Sequence, residues 1–394
     1  MTPSLILDIV LVIGLVLYTI HGFRNGFALS IGGLLGFAAG AVAAFFAIPL
    51  VASWVPSTGW RVPAVLLAVL GLTALGQVLG SAIGRVIRGS LGKTPLRSLD
   101  RALGAVVNFV VAAIVISMLA FGLNSLGVPF LSTLIASSKV ISTVDAVTPA
   151  PVRALEAQVR SLVAQDGLPR LFTAINPDTT VAVPAQTSGN TAQQDAAKSV
   201  VKITGNAYQC GQNQSGSGFV VSGNRVITNA HVVAGVANPV VEAPNGKSGT
   251  GKVVYFDPQN DLAVIAVNGL GTVPLTMGTN LPVGATAAFD GYPLGGPFST
   301  AQAAVQQVST VAVPNIYDAD ASEREVYYLS ATVQEGNSGG PLVSTAGKVV
   351  GVIFAKSATS ANLGFALTTT ELEPVMQAAA GYSATVSSGH CTRG

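Results

Sequence analysis

Gly336-Asn337-Ser338-Gly339-Gly340-Pro341 is the stretch whose reading decides the fold of this chain. A serine hydroxyl attacks a carbonyl only when a base takes its proton and donors wait for the oxyanion. A glycine two residues ahead of the serine, followed by a tight turn, can aim the amides of Gly336 and Ser338 at one point. Gly339 and Gly340 then let the chain pass close to a substrate backbone without a clashing Cβ. Taken alone, such a Gly/Ser/Asn cluster also fits a plain turn. Its partners decide between the two.

Two candidate partners lie upstream. Thr228-Asn229-Ala230-His231-Val232-Val233 follows Gly216-Ser217-Gly218-Phe219 and continues the β-prone run Val226-Ile227-Thr228. A general base must end a strand and face a cleft, and His231 is placed to do so. Asn260-Asp261-Leu262-Ala263-Val264 puts a carboxylate at the head of a strand. There it can hold the imidazole tautomer and stabilise the imidazolium. Asp257 is the rival; Asp261 is preferred because it immediately precedes the apolar run Leu262 to Val267. From Ala196 onward, short β-type runs such as Ser199 to Thr204, Ala285 to Asp290, Ala301 to Val313 and Val349 to Ala355 are separated by Gly, Pro, Asn and Asp. That spacing predicts an all-β domain of two barrels or sandwiches, and about 200 residues suffice for a substantial core.

The order His231, Asp261, Ser338 is that of the chymotrypsin arrangement. TNAHVV, NDLAVI and GNSGGP together resemble the trypsin-like superfamily, and most closely the bacterial HtrA-type (Deg) periplasmic proteases. Gly291-Tyr292-Pro293-Leu294-Gly295 and Leu363-Gly364-Phe365-Ala366 also fit that pattern, and the resemblance covers about residues 198–375. It implies a chymotrypsin-like double β-barrel with the triad in the cleft, and a serine endopeptidase that works through an acyl-enzyme. By family position Thr332, Lys356 and Gly364 line the primary specificity pocket. HtrA-type proteases usually carry a PDZ domain after the protease, for which the residues beyond Pro374 leave no room, so PDZ-based peptide sensing is not expected.

Composition points to a second domain. The chain is 49% hydrophobic and 10% charged, too apolar for an ordinary soluble protein. Four apolar stretches, roughly Leu5 to Ile20, Phe27 to Ser53, Pro63 to Ile87 and Ala102 to Leu123, approach or exceed the ~20 residues a bilayer core requires. Tyr18, Trp54 and Trp60 fall near their ends. Gly32-Gly33, Gly36 and Gly40 share a helical face, which predicts close helix packing. Arg24 marks the first loop, and Arg85, Arg88, Lys93, Arg97 and Arg101 the third. The positive-inside rule makes those loops cytoplasmic and leaves everything after Leu123 extracytoplasmic. Asp8, inside the first span, reads equally as a functional carboxylate or as one near enough to the end to reach water. The expected organisation is therefore an α-helical membrane domain of four transmembrane helices at 1–126, an extracytoplasmic linker at 127–195, and a protease domain at 196–394. A net charge of +2 belongs to the membrane loops and argues for no nucleic-acid partner. The bilayer and envelope proteins or peptides are the expected partners.

His21-Gly22-Phe23-Arg24-Asn25-Gly26-Phe27 and Leu99-Asp100-Arg101-Ala102-Leu103-Gly104 resemble motifs of the colicin V production protein family, four-span membrane proteins. The combined architecture is similar to membrane-anchored periplasmic serine proteases that serve envelope integrity under acid or oxidative stress; that role is implied by the resemblance alone. The alternative is a transport or secretion component whose protease-like domain only binds peptides.

Within the linker, Val152, Leu155, Val159 and Leu162 predict an amphipathic helix over Pro151 to Gln165. Asn176 to Asp195 has little to bury and reads as an exposed segment open to self-cleavage. Cys210 and Cys391 are the chain's two cysteines. In an oxidising compartment they read as a disulfide, worth up to roughly 5 kcal/mol in the chain-entropy model and open to use as a redox gate. Two cysteines without a ligand cluster predict no metal, and no cofactor is implied.

Overall fold

The computed structural model describes residues 3–54, 58–90, 96–124, 131, 134–135, 137–148, 170–171, 182–207 and 212–392. The chain divides into two compact units, Ile6–Ser117 and Met118–Gly394, the latter together with Met1–Leu5.

The first unit is built from α1 (Pro3–Trp54), α2 (Thr58–Ser90) and α3 (Leu96–Asn124). Segments Pro3–Ala44, Leu67–Gly89 and Arg97–Ala120 are each long and apolar enough to cross a membrane. α1 runs for 52 residues but is interrupted at Gly26, where φ is 78° and ψ is 169°. The break frees amides of the helical segment that follows, and Asp100 of α3 receives one of them: Ala28 N–H donates to its Oδ1 at 2.9 Å. Arg88 of α2 lies 3.4 Å from the other carboxylate oxygen and also donates to the Arg24 carbonyl at 2.7 Å. The two sequence motifs of this region therefore meet around one buried carboxylate. Gly22 and Gly26 pack against Gly104, and a Cβ at Gly22 would come 2.6 Å from Asn108. The glycine stripe acts as predicted: Gly32, Gly36 and Gly40 lie against Leu72, Gly76, Gly80 and Gly84, so close that a Cβ on these glycines would strike the facing backbone. With lipid outside, van der Waals contact of bare backbones takes over the role that hydrophobic burial has in water.

The second unit carries two seven-stranded sheets. One contains β2 (Val200–Ala207), β3 (Gln212–Ser222), β4 (Arg225–Thr228), β5 (Val240–Glu242), β6 (Ser248–Thr250), β7 (Lys252–Asp257) and β8 (Leu262–Ala266), in the order β6-β5-β2-β3-β4-β8-β7. The other contains β1 (Arg170–Leu171), β9 (Thr286–Gly291), β10 (Ser299–Val313), β11 (Ser322–Ser330), β12 (Pro341–Val343), β13 (Val349–Ser357) and β14 (Leu363–Thr368), in the order β1-β13-β12-β9-β10-β11-β14. β14 also pairs back onto β13, so the pairing returns on itself. Phe219, Ile227, Leu262 and Val264 of the first sheet share one core with Val326, Tyr328, Val352, Phe354 and Phe365 of the second. Each such side chain contributes about 1.5–3 kcal/mol on burial, which locks the sheets together and leaves the seam for loops.

The short helices are α4 (Lys139–Val147), α5 (Thr191–Ala197), α6 (Ala230–Val233) and α7 (Thr369–Ala378). α5 closes the stretch Asn176 to Asp195, whose described residues, 182–195, are mostly exposed, as expected. Asn190 and Gln193 form a capping box at its start. Asn190 Nδ2 donates to the Thr345 carbonyl at 2.8 Å, and Gln302 N–H donates to Gln186 Oε1 at 2.9 Å. Exposed polar side chains of this stretch thus also bond backbone groups of the second unit. The amphipathic helix expected over Pro151 to Gln165 lies outside the described residues.

Candidate active site

β4 ends at Thr228, and the chain turns at once into α6, which carries His231 in a buried position. His231 Nδ1 lies 2.8 Å from Asp261 Oδ2 and 3.0 Å from Oδ1, and the His231 backbone N–H donates to Oδ1 at 2.9 Å. An ionised carboxylate only accepts, so Nδ1 carries the proton and Nε2 keeps its lone pair for a general base. Asp261 heads β8 with φ 55°, a left-handed conformation that aspartate tolerates better than most residues. Asn229 Nδ2 holds its carbonyl at 2.8 Å.

Asp257 has a different task. Its Oδ1 accepts from the amides of Gln259 and Asn260 at 2.9 and 3.0 Å, and its Oδ2 accepts from Asn260 Nδ2 and the Tyr255 hydroxyl at 2.8 and 3.1 Å. It shapes the turn that presents Asp261.

Ser338 is buried, and its hydroxyl has no hydrogen-bond partner among the described residues. Around it the carbonyls of four successive residues are held. Glu335 O accepts from Leu294 N–H at 2.6 Å and Gly336 O from the Ser217 hydroxyl at 2.6 Å. Asn337 O accepts from Gly340 N–H at 2.9 Å and Ser338 O from Ser217 N–H at 2.8 Å. The amides of Gly336 and Ser338 donate to no other described residue, so they are available to an oxyanion. Gly336 requires its glycine: φ is 86°, and a Cβ would lie 2.9 Å from Leu294 N. Gly216 joins the two halves of the site, since a Cβ there would meet Val232 beside His231 and come 3.1 Å from the Ser338 carbonyl.

The residues expected to line a specificity pocket are neighbours. Gly364 pairs with Lys356 between β14 and β13 and packs on Val333. Thr332 Oγ1 donates to Asn362 Oδ1 at 3.1 Å. Lys356 Nζ lies 3.2 Å from Glu335 Oε1, which brings an anion from beside Gly336 onto Lys356. The sequence reading did not name Glu335. Nor did it assign a task to Ser217 or to the Tyr292–Gly295 turn, although both lie in stretches it singled out.

Asp290 on β9 sits behind the nucleophile loop, fully buried, with its carbonyl against Gly340. Its Oδ1 accepts from Thr300 Oγ1 at 2.6 Å, while Oδ2 has no partner among the described residues. Burial pushes its pKa up to about 6 against the pull of the Thr300 bond.

The C-terminal tail docks beside α6. Gly235 N–H donates to the Ser388 carbonyl at 3.0 Å, Ser388 Oγ donates to the Val236 carbonyl at 2.9 Å, and a Cβ at Gly235 would lie 3.0 Å from Cys391 Sγ. Cys210 lies outside the described residues. Among the described residues no group of three or more His, Cys, Asp or Glu is arranged to hold a metal ion.

Comparison with known proteins agrees with this geometry. The model of the trypsin-like peptidase domain matches residues 216–352, and that of the colicin V production protein matches residues 7–149. Serine protease Rv3671c of Mycobacterium tuberculosis is 34% identical over 381 residues, covering 94% of this chain and 95% of the relative. Serine protease Do-like HtrB of Bacillus subtilis is 32% identical over 160 residues, covering 38% of this chain and 34% of the relative. The crystal structure of the Rv3671c protease in its active form matches with a TM-score of 0.51 at 35% identity, covering 56% of this chain and all of that one.

Proposed function

We propose, for a chain that belongs to the serine-protease family of Mycobacterium tuberculosis Rv3671c, that it is a membrane-anchored endopeptidase acting on the outer side of the cytoplasmic membrane. The carrying observation is the His231–Asp261 pair, joined through both the ring and the backbone N–H, beside a nucleophile loop whose Gly336 and Ser338 amides meet no acceptor among the described residues. Ser338 Oγ attacks the scissile carbonyl as His231 Nε2 takes its proton. Asp261 holds Nδ1–H and stabilises the imidazolium, and the two amides receive the oxyanion. The imidazolium then protonates the leaving amine, and water repeats the sequence on the acyl-enzyme. In this reading the two sheets are the barrels of the chymotrypsin arrangement. Thr332, Lys356 and Gly364 line the primary pocket, with Glu335 neutralising Lys356. α1 is two spans joined at Gly26, so that four spans carry the protease domain to the outside.

The docked tail supports a Cys210–Cys391 disulfide, because Cys391 lies against Gly235 and next to Ala207 at the end of β2, three residues before Cys210. Such a bond would tie the tail to the connection between β2 and β3. Envelope maintenance under acid or oxidative stress, on protein or peptide substrates, is the physiological role proposed. Slow self-cleavage between about residues 165 and 198 follows from confinement of many copies in one plane. Residues 182–197 are docked, so cuts should fall before them.

A fluorophosphonate probe on the full-length protein in detergent tests the chemistry. Wild type should label at Ser338, and Ser338→Ala should neither label nor hydrolyse an unstructured protein. Hydrolysis that survives in Ser338→Ala would refute the mechanism.

A further inference from the structure

We propose that Ser217 is a positioning residue for the oxyanion hole, its hydroxyl setting both peptide planes that flank Gly336. This rests on the serine-endopeptidase reading above. Ser217 lies on β3 of the first sheet, 119 residues from Gly336, which precedes β12 of the second.

A hydroxyl has one proton to give and lone pairs to receive, and here both sides are used. The proton goes to the Gly336 carbonyl at 2.6 Å, and the oxygen accepts Tyr292 N–H at 2.9 Å. The first bond fixes the Gly336–Asn337 peptide. The second anchors the Tyr292–Gly295 turn, in which Leu294 is held at φ 54°. Leu294 N–H in turn holds the Glu335 carbonyl at 2.6 Å, which fixes the Glu335–Gly336 peptide. In a planar trans peptide the N–H points opposite to the carbonyl. Holding the Glu335 carbonyl toward Leu294 therefore turns Gly336 N–H the other way, where an oxyanion can meet it. The backbone N–H of the same serine holds the Ser338 carbonyl at 2.8 Å.

The surroundings are cut to fit this hydroxyl. Ser217 is fully buried, and a Cβ at Gly291 would come 2.7 Å from its Oγ. Glycine at 336 is the residue that most needs such control, since its backbone has no side chain to bias it. In Ser217→Ala, Tyr292 N–H and the Gly336 carbonyl lose their partner together, and the peptides on either side of Gly336 lose their restraint. Oxyanion donors act on the transition state more than on bound substrate, so the loss belongs in kcat and not in KM.

The test uses the full-length chain in mild detergent, with kinetics on a small chromogenic ester and the rate of fluorophosphonate labelling. Absence of labelling in wild type would sink the endopeptidase reading itself. With wild type active, Ser217→Ala is expected to lower kcat and the labelling rate about 10- to 100-fold, with KM within about twofold and the thermal midpoint showing a folded protein. Ser217→Thr keeps the hydroxyl and should recover most of the rate. Should the alanine variant not fold, Ser217→Cys keeps the volume while weakening both bonds, and the same split is expected. The proposal is overturned by a folded alanine or cysteine variant with wild-type kcat. It is also overturned by a loss confined to KM, or by a threonine variant as slow as alanine at an unchanged thermal midpoint.

Discussion

Asp257 and Asp261 lie four residues apart, yet only Asp261 touches His231, while Asp257 gathers the amides of Gln259 and Asn260. Asp261→Asn should lower kcat by about four orders of magnitude, because an amide nitrogen facing Nδ1 favours the wrong tautomer. Asp257→Asn keeps an accepting oxygen for the two amides, so its kcat should stay within about tenfold of wild type, with a stability loss of about 1 kcal/mol. Equal rate losses in the two variants would remove the distinction. Asp290 offers a prediction of another kind. Burial lifts its pKa to about 6, above the 3.8 of a free aspartate, so its contribution is complete below the lower value and is lost as pH rises through the upper one. The cost of ionising it in place is up to about 3 kcal/mol. Relative to wild type, Asp290→Asn should therefore gain thermal midpoint between about pH 4 and pH 7.5. An offset that is the same at both pH values, by calorimetry on the full chain, would contradict this. At this scale candidate residues could be picked out where each stands in a local run, as Ser338, His231 and Asp261 do. Ser217 could not, because its partner is 119 residues away and nothing near it reveals where a hydroxyl points.

Among the elements, long β-branched runs were readable. β4 contains the β-prone run Val226-Ile227-Thr228 and adds Arg225, and β8, β9 and β10 differ from expectation by a residue or two. β5, β6 and β12 have three residues each, too few to establish an alternation, and they exist because neighbouring strands offer pairing. α7 was likewise missed; its Pro374 argues against a helix. α5 was hidden by composition, since Asn190 and Gln193 look like linker residues until their amides meet each other and the second sheet. Asn190→Ala removes the cap and the bond to Thr345 at once. It should cost about 1–2 kcal/mol locally and open residues 182–197 to added protease, seen as faster cutting of the full-length chain in that segment. Unchanged cutting there would mean that the cap does not hold this segment down.

For the molecule as a whole, the side taken by the basic loop between α2 and α3 decides on which side of the membrane the proposed chemistry would happen. α1 is 52 residues long, more than twice what a bilayer core requires. If it crossed once as a single rod, the chain would pass the membrane three times, and the basic loop holding Arg85, Arg88, Arg97 and Arg101 would face outward with the N-terminus outside and inward with the N-terminus inside. The break at Gly26, with Asp100 capping Ala28 and Arg88 reaching the Arg24 carbonyl, supports two spans in that length. Four crossings then put Arg24 and the basic loop on the cytoplasmic side, as the positive-inside rule prefers, and the protease domain outside. The two orientations of the basic loop predict opposite results at the same pair of positions. A reporter enzyme active only outside the cytoplasm should work when it replaces the protease domain after residue 195 and stay silent when fused at Lys93. With the basic loop outside it would be silent after residue 195 and active at Lys93. That second pattern would place the protease domain in the cytoplasm, where the thiols of Cys210 and Cys391 stay reduced, and would remove both the envelope role and the disulfide.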